Sequence, residues 1–249
     1  QEHKNYYDVS NTVFQQEPNV KEELSRLYWA LVLARLQYDL KNKNQFAPEV
    51  IAAIKHHMQV EDGRVFKLAA NLPYNVATPI ISNLLRSEIV PETMTVTIQK
   101  ELADRLVAGP GSKDYGALSI WVQSICDVEI VRIMSPKVFW PRPKVDSAII
   151  HIHHFPERRE QFEDLDFFYA FVRAMFFHRR KFMRSVAVSA FKDQLTKTDV
   201  DEVLAELGHG ADARTEQLDV EQMQSLCNAF REKLIKVTGE QNPKLANQS

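Results

Sequence analysis

Cysteine is scarce in this chain: Cys126 and Cys227 are the only two in 249 residues. A pair so far apart offers neither a disulfide framework nor a metal-ligand spacing, and it fits a reducing compartment. Glycine is equally sparse, with seven in all, and the first is Gly63. A glycine-rich turn that brings backbone amides close to a ligand is therefore excluded from the first 62 residues. No apolar run approaches the length needed to cross a bilayer; the strongest, Leu27 to Ala34, is far too short and has no signal-peptide flanks. We therefore expect a cytoplasmic protein without a membrane partner. Nor is there a large excess of charge of either sign. The net value of −2 excludes a uniformly basic surface for nucleic acid.

Local charge tells more than the average. Between Arg173 and Arg184 stand five cations (Arg173, Arg179, Arg180, Lys181 and Arg184) and no acid. Lys137, Arg142 and Lys144 form a second group among three prolines. Phosphate binding requires local potential and not a high overall isoelectric point, so both clusters keep nucleic acid open as a partner. A cationic helix face simply solvated by water is the plainer alternative.

The order of patterns points to an α/β region followed by helices. Glu22 to Leu36 has helical spacing, and Pro48 suits the first turn of another helix. Arg64–Ala70 reads as a short buried strand broken by Asn71-Leu72-Pro73-Tyr74-Asn75. A helix over 77–87 follows, then a β-branched strand from Thr93 to Ile98 and helices over 99–107 and 117–125. Val128–Ile133 and Val145–His151 bracket a proline-rich loop as two late strands. From Pro156 onward only helical stretches remain, near 165–190, 198–207 and 220–235, with a polar, frayed end after Thr238. This alternation predicts a largely parallel sheet, with ligands at the carboxyl ends of its strands. The expected divisions are 1–64, 65–155, a helical part at 156–237, and a tail at 238–249.

At the end of the first of these strands, Asn71-Leu72-Pro73-Tyr74 makes a rigid corner. Proline donates no hydrogen bond, so neighbouring carbonyls can point outward as acceptors. An asparagine amide and a flat tyrosine face complete a set suited to an exocyclic amine on a stacked base. A plain turn with a buried tyrosine is the competing reading of the tetrapeptide. Phe139, ahead of a proline turn, reads by itself as core packing. Phe176, Phe177 and Phe182 read as the interior of the helical part. His151, His153 and His154 cluster at a strand end, but no metal site is expected from them.

Four blocks taken together settle the balance. Asn71–Asn75 is followed by Gln99-Lys100-Glu101-Leu102-Ala103-Asp104-Arg105-Leu106, which runs into Gly111–Ser119 and Gln123. Next stand Val138-Phe139-Trp140-Pro141-Arg142-Pro143-Lys144-Val145-Asp146-Ser147-Ala148, and then Phe176-Phe177-His178-Arg179-Arg180-Lys181. In this order they resemble the rRNA adenine N6,N6-dimethyltransferase family, from about Leu40 to Leu234. The resemblance implies a Rossmann-like methyltransferase sheet with a C-terminal all-helical domain. It also implies S-adenosylmethionine (SAM) as cofactor, and dimethylation of adenine N6 in small-subunit ribosomal RNA, linked to ribosome assembly.

By this resemblance Asn71 and a main-chain carbonyl near Leu72 or Pro73 accept the two amine hydrogens of adenine. Tyr74 stacks on the base and Phe139 lies on its other face or edge. Asn71 also borders the cofactor, and Asp39 is the acidic position offered for its adenosine, against a plain reading as a surface acid. Lys113, Arg142, Lys144, Arg179, Arg180 and Lys181 are the candidates for RNA phosphates. The expected partner is small-subunit rRNA or its assembly particle, met by a monomer. The family's glycine-rich SAM loop should precede Asn71, and no such loop is legible there. Three forms stay open: a truncated methyltransferase, an enzyme with a divergent cofactor site, and a catalytically silent relative that binds RNA or a pre-ribosomal particle.

Overall fold

The computed structural model describes residues 46, 48–58, 65–179 and 181–245. Helix α1, Pro48–Met58, begins on its proline and buries Val50 and Ile54 against Ile89. Strand β1, Lys67–Asn71, leads through a turn into α2, Ala77–Arg86. That helix follows from its sequence, because Ile80, Ile81, Leu84 and Leu85 recur at helical spacing and are all buried. Truncating any of them to alanine would cost about 2–5 kcal/mol.

Strand β2, Thr93–Gln99, alternates strictly: Met94, Val96 and Ile98 face inward, while the threonines between them face outward. Helices α3, Lys100–Val107, and α4, Ala117–Ile125, follow. Strands β3, Cys126–Met134, and β4, Ser147–His154, then form a hairpin. The described sheet has the order β1-β2-β4-β3. Only the β1–β2 pair is parallel; β4 runs antiparallel to both β2 and β3. Met94 opposes Ile152, Val96 opposes Ile150 and Ile98 opposes Ala148. One apolar face is thus built pair by pair, and α3 and α4 pack on it.

After the short α5, Pro156–Arg159, come α6, Leu165–Phe176, and α7, Met183–Ala190. Helices α8, Lys197–Glu206, and α9, Val220–Thr238, complete the chain. Asp164 caps α6 by accepting the Phe167 N–H at 2.8 Å. Asp219 and Gln222 cap α9 reciprocally, and α9 ends on Gly239 at φ 74°, a left-handed conformation that glycine takes without strain. Phe171, Phe191 and Phe230 join α6, the end of α7 and α9, with the last two rings stacked at 4.8 Å. A single buried cluster runs from Leu72 of the sheet region to Leu245.

Four expectations need correction. The sheet is mixed, not largely parallel, because the connection from β3 to β4 holds no crossover helix and short links make antiparallel pairs. Strand β1 is not buried: Lys67, Ala69 and Asn71 are exposed, since β1 lies at the edge of the described sheet. The helix expected over 165–190 breaks between Phe176 and Met183. The segment after Thr238 is not wholly frayed, because Leu245 is buried and Gln194 Nε2 donates to the Lys244 carbonyl. The helix read over 22–36, Asp39 and Arg180 lie outside the described residues.

Candidate active site

The carboxyl ends of β1 and β2 meet the start of β4. Asn71 pairs in register with Thr97, and Gln99 with Ser147. Asn71, the last residue of β1, is exposed at this end. The Leu72 N–H donates to the Thr97 carbonyl at 3.1 Å, carrying the ladder one step further, and the Leu72 side chain is buried. Pro73 then turns the chain, and its carbonyl accepts the Val76 N–H at 3.1 Å. The half-buried Tyr74 is held by its hydroxyl, 2.6 Å from Ser147 Oγ at the head of β4.

At the same end of the sheet lies the loop 135–146, which joins β3 to β4. It starts in a 3-10 turn, Pro136–Val138, capped by Ser135. Phe139, half-buried, ends that turn by donating its N–H to the Pro136 carbonyl. The loop returns through Asp146, whose carbonyl accepts the Lys100 N–H at 3.0 Å from the start of α3. The structure thus brings Asn71, Leu72, Pro73, Tyr74 and the Phe139 loop to one end of the sheet. Arg142 and Lys144 are exposed on that same loop.

Beside it opens a cleft of about 940 Å³, with Gln99, Val145 and Asp146 on its near wall and Lys113, Phe176 and Arg179 farther out. Its charges are largely satisfied internally. Lys100 pairs with Asp104, and Arg105 with Glu101. Arg179 is committed on all sides: Nε to Glu216 at 2.7 Å, Nη1 to the Lys113 carbonyl at 2.6 Å, and Nη2 to the Ser112 carbonyl at 2.8 Å. Arg184 forms a fork with Asp201, and the Arg173 guanidinium lies over the Tyr169 ring. Lys113 and Lys181 are exposed. The cation run is therefore not one helix face. It straddles a break, and part of it braces the fold.

Several residues whose work the sequence did not disclose now have one. Gln123 Nε2 donates to the carbonyls of Leu106 and Ala108 at 2.8 and 2.9 Å, closing the end of α3. Tyr115, fully buried, donates to the Leu218 carbonyl at 2.7 Å, and burial raises its pKa to about 12. Ser147 lies in the block Val138–Ala148; it falls in the phase of β4 opposite to Ala148, Ile150 and Ile152 and is buried nonetheless, so alternation alone gives no signal for it. Phe177 and Phe182 correct an expectation, being 80% and 46% exposed and not interior.

His154 is buried and its pKa is lowered to about 4, first by desolvation and then by Arg159. Among the described residues no group of histidines, cysteines and carboxylates could hold a metal ion. None of their helices is long and apolar enough to cross a membrane. Among the described residues the glycines all fall at or after Gly109, beyond β1 and β2.

The chain is similar to known proteins over most of its length. A protein of Halothermothrix orenii named ribosomal RNA small subunit methyltransferase A is 42% identical over 177 residues, 71% of this chain and 59% of that protein. Its namesake in Alkaliphilus metalliredigens is 36% identical over 197 residues, 78% of this chain and 68% of that protein. The chain thus spans about three fifths to two thirds of the length of these relatives. Among solved structures, a dimethyladenosine transferase from Plasmodium falciparum superposes with a TM-score of 0.60 at 24% identity, covering 75% of this chain and 80% of that one. That likeness shows the fold: a Rossmann-like methyltransferase sheet followed by a helical region. The family description "Ribosomal RNA adenine dimethylase" matches residues 9–232, and the chain belongs to that family.

Proposed function

We propose that this chain carries the base-holding half of an enzyme that dimethylates adenine N6 in small-subunit ribosomal RNA. The observation that carries the reading is the corner at the carboxyl end of β1, where an exposed Asn71 precedes a turn whose tyrosine is pinned to Ser147. Adenine N6 is a poor nucleophile because its lone pair is delocalised into the ring. The Asn71 side-chain oxygen and one main-chain carbonyl accept its two hydrogens, favour a pyramidal nitrogen and expose the lone pair. The Pro73 carbonyl already accepts the Val76 N–H, which favours the Leu72 carbonyl as second acceptor. Tyr74 offers its ring to one face of the base, and Phe139 closes the other face or edge. The cationic nitrogen formed by methyl transfer is strongly acidic and loses its proton to water, which leaves neutral methylated adenine, so no dedicated base is needed. The base must be unpaired or extruded to enter.

SAM is the methyl donor that the family implies, and it supplies an electrophilic methyl group. Asn71 is proposed to border it, and the corner's contribution is to grip and orient the amine. Asp39 remains the proposed adenosine contact. Arg142, Lys144, Lys113 and Lys181 are proposed to face RNA phosphates, with Arg180 as a further candidate. Arg179 serves mainly as a brace.

The test is Asn71→Ala in a methylating form of the protein, with dimethyladenosine quantified by mass spectrometry. Methyl transfer is expected to disappear while RNA affinity is nearly retained, because the amide acts in the transition state. Equal loss of RNA binding would reduce the corner to a structural turn. The second reading is an RNA- or pre-ribosome-binding relative without methyl transfer. Calorimetric titration of this chain with SAM separates the two. Weak or no binding is expected of the chain alone, and a micromolar site would establish a divergent cofactor pocket.

A further inference from the structure

Trp140 is 96% exposed, whereas Trp121 is buried at 2%. It sits near the middle of the loop 135–146, whose two ends are closed by the Met134–Ser147 register pair. Pro136, Pro141 and Pro143 fix three φ angles of this loop, and the Lys100 N–H ties its far end at Asp146. An indole displayed on so constrained a segment loses little freedom when something covers it, and it offers a large flat face. Its surroundings indicate what covers it. Lys137, Arg142 and Lys144 are all exposed on the loop, and no acid occurs between Ser135 and Val145. A nucleic-acid strand presents one negative charge and one flat base per nucleotide, the pattern that cations flanking an indole match.

Trp140 precedes Ser147 by seven positions, and Ser147 Oγ is 2.6 Å from the Tyr74 hydroxyl. Seven extended residues reach at most about 25 Å, a span of only a few nucleotides. We infer that Trp140 is a stacking platform for an unpaired base a few nucleotides from the target adenine. It would set the strand's register, so that the adenine delivered to Asn71 is chosen by its distance from the stacked neighbour. This rests on the reading that the corner at Asn71 receives RNA.

The test uses the full chain and a fluorescently labelled RNA hairpin with an adenine-containing loop, read by anisotropy. Trp140→Ala and Trp140→Leu are expected to weaken binding by roughly 5- to 150-fold, as loss of one stacked base implies. Trp140→Phe, which keeps a π-face, should stay within about 5-fold of wild type. The salt dependence should not change, since no charge is removed. Placing an abasic site at each loop nucleotide in turn should identify one position that weakens wild type but leaves Trp140→Ala unaffected. Wild-type affinity in both Ala and Leu variants, or abasic penalties that simply add to that of Trp140→Ala, would overturn the inference and leave the RNA reading intact. Failure of the wild-type chain to bind the hairpin would defeat both. Loss of self-association in sedimentation velocity on Trp140→Ala, with RNA affinity unchanged, would make this face a contact for a second copy and also overturn it.

Discussion

The Tyr74 hydroxyl and Ser147 Oγ are 2.6 Å apart although 73 residues separate them in sequence. Strand β2 runs between β1, which Tyr74 follows, and β4, which carries Ser147, so this bond crosses the end of the sheet and fixes the ring proposed to stack on a base. Tyr74→Phe keeps the ring but frees it. We expect about 1 kcal/mol of lost stability by urea unfolding, with RNA affinity nearly retained and methyl transfer slowed. Tyr74→Ala should lose both affinity and rate. Equal rates for Tyr74→Phe and wild type would show that the bond has no part in positioning.

Arg179 and Lys181 are neighbours in the cation run with different work. Arg179→Ala removes bonds to Glu216 and to the Ser112 and Lys113 carbonyls, and should cost on the order of 2 kcal/mol while leaving the salt slope of RNA binding unchanged. Lys181→Ala combined with Arg142→Ala and Lys144→Ala should leave stability within about 0.5 kcal/mol per site. That triple variant should flatten the slope by roughly one unit for each phosphate no longer neutralised. Filter binding across a salt series checks both, and a flattened slope for Arg179→Ala alone would reverse the assignment.

The contrast between those two residues shows what the sequence could and could not carry. Helix α4 was legible to the residue, because its apolar face and the glycine before it are local signals. The break at Phe176 was not: Arg179, just beyond it, bonds to Ser112, Lys113 and Glu216, partners that lie far away in sequence. The antiparallel placement of β4 could have been read, since two strands joined without a helix can hardly be parallel. Asn71 and Tyr74 are proposed from their motif, but the bond between Tyr74 and Ser147 depends on strand register, which the motif does not carry. Phe177 and Phe182 misled for a simple reason: aromatic residues are more often inside, and exposure is a property of the assembled surface.

His154 gives stability a pH dependence. Its folded pKa of about 4 lies below the ordinary value of 6.5, so protonation favours the unfolded chain. The stabilisation is complete above about pH 6.5 and is lost as pH falls through 4. Urea midpoints from pH 7 to pH 4 should fall more shallowly in His154→Gln than in wild type. Parallel curves would place the titration elsewhere.

Both cysteines are buried, and burial raises both thiol pKa values, Cys126 to about 12. Neither should react with a disulfide reagent at neutral pH in the folded protein, and both should titrate once urea unfolds it. A fast-reacting thiol under native conditions would contradict the packing of Cys126 beneath α4 or of Cys227 within α9.

The Met134–Ser147 pair closes the sheet before the loop between them begins, and the ladder does not depend on what that loop contains. The segment is therefore an exchangeable cassette. Its tip could be lengthened, shortened or swapped with that of a relative at a small entropic cost, since loop closure depends only weakly on length. Tyr74 would keep its partner throughout. Chimaeras cut at these two residues would separate what Asn71 and Tyr74 contribute from what the loop contributes through Phe139 and Trp140.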